Sequence, residues 1–445
     1  MNYSKQLIFV ALLSGMLSAH AMTSPDGLNG TDTSNDGGGT SGGDTSGGDT
    51  PPAADPAGPT PLLSVGTDKL TIYSGAAITN GAGSIVGGNM DAFAAVTLGA
   101  GNTVGQNIVV GAAITLGDGS LVKGSVTTFQ DATMGANSTI LGTLISGAII
   151  DMGANTTVGT PEPGFTAMNC TFHPAPAPGS EITSVTSGTA VTLGDSAVVY
   201  GDIISALGPV TLGANSVACE NVRAATSVTI SASSTIDASK VSQSEATPFT
   251  PAPVVDRRDE LKVAKAALKS MPITHNIATT MTVDTRLEPG IYYAPALTTT
   301  AGISLTLVGN GEPQLWVFNL DTYLSLGAGT KILLENVHDN SAVIWNTGGY
   351  SFVGALSEFR GTILAGSYAT TGAGTTVHGI GDSCGSILTI GGAVTLGANN
   401  IVGDVGCTVG VTPTCTVLNG TANCANFCVN TVNEPCPGDR NYNIN

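Results

Sequence analysis

The sequence predicts an all-β protein, a parallel β-solenoid of about 18 residues per coil with one flanking α-helix. Three observations carry that expectation: a fixed sequence period, alternation of apolar and polar residues within each period, and a composition suited to tight turns. The period runs through Ile78, Val96, Ile114, Ala132 and Ile150, each 18 residues after the last. Two residues on come Asn80, Leu98, Leu116, Met134 and Met152, then Gly81, Gly99, Gly117, Gly135 and Gly153, and eight residues from each opening stand Val86, Val104, Val122, Ile140 and Val158. Side chains alternate across a strand, so the residue between the two apolar members of each pair points outward. That slot reads Thr79, Thr97, Thr115, Thr133 and Asp151. The pattern therefore predicts a ladder of threonines about 4.8 Å apart on one outer face.

With 60 glycines among 445 residues, 42% apolar, 10% charged and 5% aromatic residues, the chain favours short strands and tight corners over large globular cores. Its net charge of -18 makes nucleic acid and anionic membrane poor partners. At the start, Lys5, the apolar run Leu7 to Leu17 and Ala19-His20-Ala21 read as a secretory signal peptide over residues 1–21. No later apolar run is long enough to span a bilayer as a helix. A secreted protein, extracellular or at the cell surface, is expected. Residues 22–61 are Gly, Ser, Thr, Asp and Pro with too little apolar area to offset the entropy of ordering, and read as a flexible acidic linker.

A regular solenoid block is expected over 62–250. Within it, residues 160–180 carry prolines on both sides of Cys170 and should loop out. The pattern resumes at Val191, Val210 and Val228, with Thr192, Thr211 and Thr229 outward. The 19-residue step from Val191 to Val210 suggests a one-residue bulge. Residues 251–272 should form the flanking helix, capped by Asp256 and ended by Pro272, with Leu261, Ala264, Leu268 and Met271 on one face turned to the side of the solenoid. Over 273–406 strand patterns return with irregular spacing, and Ser325, Ser351, Thr370 and Thr395 take the outward slot. In 407–445, Cys407, Cys415, Cys424, Cys428 and Cys436 join Cys170, Cys219 and Cys384 to make eight, an even number that favours disulfides in an exported chain. The pair Cys424 and Cys428 permits a zinc site only weakly, since no second close pair or nearby histidine completes four ligands.

Chemical constellations are otherwise scarce. The five histidines form no metal spacing, and there is no nucleophile elbow or phosphate loop. Glu358 and Arg360 read as a surface ion pair, and Trp316 and Trp345 as buried. No enzyme, cofactor or metal is expected.

The runs LEPGIYYA, ISLTLVGNGEPQLWVFNLDTYLSLGAGTKILLENV and SAVIWNTGGYSFVGALSEFRGTILAG resemble the microbial ice-binding β-solenoid family, whose members also place one long helix beside the coils. LTIYSGAAITNGAGSIVGGNM resembles that family's opening segment. The likeness covers residues 70–90 and 256–406, whereas 91–255 departs from it in length and regularity. The resemblance implies a right-handed, roughly triangular solenoid and adsorption to ice. Two function classes stand: a secreted ice-binding protein using the Thr/Ser slots, with an ice crystal surface as partner, and an exported structural or adhesive protein bound to a cell-surface or matrix component. Threonine is also common on exposed strands through propensity alone.

Overall fold

The computed structural model describes residues 60–61, 70–160, 184–403 except 244 and 382, and then 407, 416–418 and 421–423. The expected signal segment, nearly all of the linker, the proline-rich stretch from 161 onward and most of the cysteine-rich tail lie outside the described residues.

Three parallel sheets of 13, 14 and 15 strands wrap one apolar core. Each coil runs along the 15-stranded sheet, turns onto the 14-stranded sheet, then onto the 13-stranded one. We call these the helix face, the threonine face and the third face. The alternation seen in the sequence decides which side chains enter: Ile78, Val96, Ile114, Ile150, Leu98 and Leu116 are all at most 2% exposed. Burying one such side chain contributes about 1.5–3 kcal/mol. The aromatic residues fill the wider coils of the C-terminal half, where Tyr292, Phe318 and Trp345 stack at 5.0 and 3.9 Å between centroids. Trp316 and Trp345 are both fully buried, as the alternation around them predicts.

The order of coils in space is not their order in the chain. The first coil, Leu70–Ser74, Ile78–Asn80 and Ile85–Val86, pairs on one side with the second. On its other side it pairs with the last coil of the C-terminal half, Ser386–Thr389, Val394–Leu396 and Ile401–Val402. On the threonine face eight strands lie on one side of this seam and six on the other. The regular block grows away from the seam to Val241–Gln243, and the C-terminal half begins at the opposite end with His275–Asn276 and grows back towards it.

The chain must therefore cross the length of the solenoid between Gln243 and His275, and its composition changes to suit. Eight inter-strand steps separate Val241–Gln243 from Leu70–Ser74, about 38 Å, which the residues 245–257 cover when extended. This strap passes Ala206, whose carbonyl accepts from Thr247 N, lays Pro251 over Gly147, and ends with the Arg258 guanidinium 4.4 Å from the Phe93 ring centroid. Helix α1 (Arg258–Ser270) then rises about 20 Å along the helix face of the C-terminal half. Leu261, Ala264 and Leu268 bury against Tyr73, Ile291, Val317, Ile344, Leu364 and Leu388. Asn319 Nδ2 donates to Leu268 O and Asn346 Nδ2 to Lys265 O, and Lys265 Nζ donates to Asn346 Oδ1, Thr347 O and Leu364 O. Burial lowers Lys265 to about 8.

Three local expectations need correcting. Arg257, not Asp256, holds the N-cap position of α1, although Asp256 Oδ1 accepts from Arg258 N at 3.0 Å. The extra residue before Val210 sits in the corner after Ile203–Ser205, where Leu207 is 44% exposed, and the ladder on either side keeps its register without a bulge. A corner absorbs an insertion without breaking inter-coil hydrogen bonds, whereas a strand does not. Glu358 pairs with Lys331 at 2.5 Å rather than with Arg360. The two carboxylate-to-cation options differ in direction: Lys331 is the cross-strand neighbour, directly opposite Glu358 in the ladder. Cys384 and Cys407 form a disulfide and Cys219 is disulfide-bonded, in line with the even cysteine count.

Where the strap meets α1, the half-buried Asp91 is pushed up to about 6 by burial, an effect that Arg257 nearby partly offsets. A carboxyl whose folded value lies above its unfolded one stabilises most at low pH, and that contribution is lost as pH rises through about 6. Asp91→Asn should raise stability at pH 7.5 by about 1–2 kcal/mol and lose its advantage towards pH 4, as read by melting temperature across pH. The faces make a second prediction. Leu116→Asp should cost about 4 kcal/mol or more by burying a charge between coils, and Thr115→Asp no more than about 0.5 kcal/mol. Similar melting losses in both variants would mean that the faces are assigned wrongly.

Candidate functional site

One residue per coil points outward from the threonine face, and the strand register aligns these residues into a single column. From the C-terminal half across the seam it reads Thr280, Thr298, Ser325, Phe352, Thr370 and Thr395, then Thr79, Thr97, Thr115, Thr133, Asp151, Thr192, Thr211 and Thr229. Thr79 and Thr395 are direct neighbours. What the sequence presents as two separate series is therefore one row. Ten of the eleven residues singled out in the sequence lie in it, each exposed or half-exposed.

Ser351 does not. It is fully buried, and its hydroxyl lies 3.0 Å from Thr347 Oγ1. The outward residue of that coil is Phe352, 38% exposed. The corner glycine explains the slip: the outward slot falls two residues before it, as Thr370 before Gly372 and Thr395 before Gly397, and two before Gly354 is Phe352. Thr280 and Thr298 escaped notice because no glycine marks their corners, Thr300 standing where glycine would follow.

The corners hold successive coils in close contact. A Cβ on Gly117 would lie 2.5 Å from the Gly99 carbonyl carbon, and one on Gly213 2.6 Å from that of Gly194, so each coil rests backbone on backbone at this corner. Two residues later the chain takes a left-handed conformation, supplied by Gly101, Gly119, Asn137, Asn155, Ser196 and Asn215. Leu356 takes it too, at φ 58° and 72% exposed, the one bulky residue at such a corner among the described coils. Buried hydroxyls then clamp both ends of the strands. Ser138 Oγ donates to Gly117 O at 3.0 Å and Thr156 Oγ1 to Gly153 O at 2.9 Å on one side. On the other, Ser146 Oγ donates to Ile149 O at 3.1 Å and Ser187 Oγ to Ala190 O at 2.8 Å. This inner polar row went unread in the sequence, although Asn102, Ser120, Ser138 and Thr156 recur at the same 18-residue step.

The three faces differ in what they leave free. The helix face is covered by α1 and the strap. The third face carries the pairs Arg286–Glu335 and Lys331–Glu358. On the threonine face no ion pair lies among the described residues, and Asp151 is the one charged rung of the column. Beside α1 a cavity of about 120 Å³ is lined by Lys265, Lys269, Asn319, Asp321 and Asn346, but Lys265 spends its three donors on protein acceptors and Lys269 pairs with Asp321 at 2.9 Å. Among the described residues no group of histidine, cysteine or acidic side chains is placed to hold a metal ion.

Comparison with known proteins gives a family. Residues 185–402 match the ice-binding-like family model, so the match begins inside the regular block rather than at the helix and does not extend to residues 70–90. Among solved structures, an ice-binding protein from the Antarctic ascomycete Antarctomyces psychrotrophicus is 16% identical over 77% of this chain and 98% of its own, with a TM-score of 0.36. An ice-binding protein from an Antarctic biological consortium is 14% identical over 77% of this chain and 91% of its own, with a TM-score of 0.37. A domain of Shewanella frigidimarina ice-binding protein 1 is 21% identical over 50% of this chain and 92% of its own, with a TM-score of 0.30. No curated protein matches the chain in sequence. Residues 185–402, just under half of the chain, thus form an ice-binding-like domain.

Proposed function

We propose that this is a secreted ice-binding protein that adsorbs to ice through the threonine face and acts without catalysis. The observation that supports it most is the unbroken register of the fourteen-rung column, in which eleven rungs are threonine. Adsorption to a crystal requires many weak contacts at once, because each hydroxyl or methyl contributes little and only a pre-ordered array avoids the entropy of assembling them. Here the ordering is already present. Threonine is stiff about χ1, the backbone ladder fixes the spacing at about 4.8 Å, and the buried hydroxyls hold the corners. The near absence of charge matters equally, since an ionised group binds its own hydration shell and would have to shed it against a lattice. Export is part of the proposal and is supported by the oxidised cysteines, which persist outside reducing compartments.

Purified protein should show thermal hysteresis and inhibit ice recrystallisation at micromolar concentration. Replacing Thr97, Thr115 and Thr133 by Tyr should reduce the hysteresis at least fivefold while the melting temperature stays within a few degrees, and the same change at Thr103, Thr139 and Thr157 on the third face should leave it intact. No hysteresis from well-folded wild type, or equal loss from both triples, would sink the reading. For export, intact-mass measurement of the native protein should find Cys219, Cys384 and Cys407 blocked to alkylation until a reductant is added. Free thiols at these positions would count against it.

A further inference from the structure

The rungs of the threonine column are not equally available. Five consecutive threonines, Thr395, Thr79, Thr97, Thr115 and Thr133, are exposed, and they run across the seam. On one side the column passes to the half-exposed Thr370 and then Phe352, and on the other to Asp151. A second column keeps the same limits. It stands two residues before each rung, at the corner where the helix face turns onto the threonine face. Beside Thr395, Thr79, Thr97 and Thr115 it is Ala393, Ala77, Ala95 and Ala113, and beside Thr133 it becomes Asp131. Towards the C-terminal half it becomes Tyr368, Tyr350 and Tyr323, whose rings stack at 5.2 and 5.0 Å between centroids. The coil of Phe352 is bulky across its whole width, with Tyr350 at one corner and Leu356, 72% exposed, at the other. A crystal surface that touches the Phe352 ring is lifted off the shorter threonines beside it. At the opposite end the Asp151 carboxylate keeps its own hydration shell.

We propose that ice adsorbs to this five-rung patch alone, and that Phe352 with the tyrosine stack and Asp151 with Asp131 are the residues that end it. The patch is about 19 Å long at the ladder spacing. It joins segments 316 residues apart in the chain, which meet only where Thr79 lies beside Thr395. Four of its five threonines fall outside residues 185–402, so the part of the chain that departs from the family supplies most of the site. The coil that brings Thr395 to the seam is closed on itself by the disulfide, Cys384 preceding its first strand and Cys407 following its last. That closure holds in place the one rung contributed from the far end of the chain. Rungs beyond Phe352 and Asp151 extend the solenoid without touching the crystal. This inference rests on the threonine face being the ice-binding surface.

The test compares single substitutions along one column of the full-length protein. Tyrosine replaces Thr79 or Thr395 within the patch, and Thr211 or Thr298 outside it, and each variant is assayed for thermal hysteresis and melting temperature. Tyrosine suits an exposed strand position, so the fold should persist. A lysine series at the same four positions gives the same comparison where a tyrosine variant melts early. Thr79→Tyr and Thr395→Tyr should each lower hysteresis by about fivefold or more, because a contact set that binds only as a whole is lost when one member is displaced. Thr211→Tyr and Thr298→Tyr should leave it near the wild-type value. Equal losses at all four positions would overturn the bounded patch and leave the whole column as the ice surface. A loss at Thr79 with none at Thr395 would overturn it too, by stopping the site at the seam. Absence of hysteresis in the wild type would instead remove the ice reading beneath it.

Discussion

The hydrogen-bond ladder across the seam is the constraint on which the rest depends. Without the pairing of Ile72 with Ile387, Thr79 with Thr395 and Ile85 with Ile401, the molecule would be two short solenoids, each with an open end and each with part of the threonine column. With it, one ladder spacing governs every rung from Thr280 to Thr229. The return path across the solenoid follows from the same constraint. A chain that closes in its middle must travel from one end to the other, and the strap and α1 do so while covering the apolar outer side of the helix face, which includes Tyr73, Val317 and Leu388.

Covering one face this way divides labour among the three. The C-terminal half of the helix face is apolar outside as well as inside, so its strands read as near-continuous hydrophobic runs, such as Leu315–Leu320 and Ala342–Thr347. The threonine face keeps its alternation in nearly every coil, and no described residue is packed over it. The third face accepts charge pairs and the more variable residues. The selective burial of α1 is thus tied to the freedom of the column on the neighbouring face.

Much of this was legible in the sequence, for identifiable reasons. Val96, Thr97, Leu98 and Gly99 specify in, out, in and corner by residue type alone, and the 18-residue step repeats the statement until it is unmistakable. Helix α1 announced itself through Leu261, Ala264 and Leu268 at helical spacing. Ser351 was misread because polarity was taken as the guide to direction where the corner glycine was the better one. The seam was not legible at all. Its partners are 316 residues apart, as in the hydrogen bond from Ser386 Oγ to Leu70 O, and all coils carry interchangeable edges, so no local pattern says which two will meet. Asn80 is the nearest thing to a mark. It occupies the inward slot that holds leucine in Leu98 and Leu396 on either side, and its amide atoms find no partner among the described residues.

The seam also sets a timetable. During synthesis the first coil emerges with one complete strand edge and no neighbour for it, and the coil that will cover it lies some 316 residues further along the chain. At translation rates of roughly 5–20 residues per second, that edge waits for about 15–60 s. An unpaired parallel edge with an apolar interior is a template for pairing with another nascent chain. A polar amide at Asn80, in place of the leucine or methionine of most later coils, makes the waiting surface less apolar than any other rung of the regular block would be.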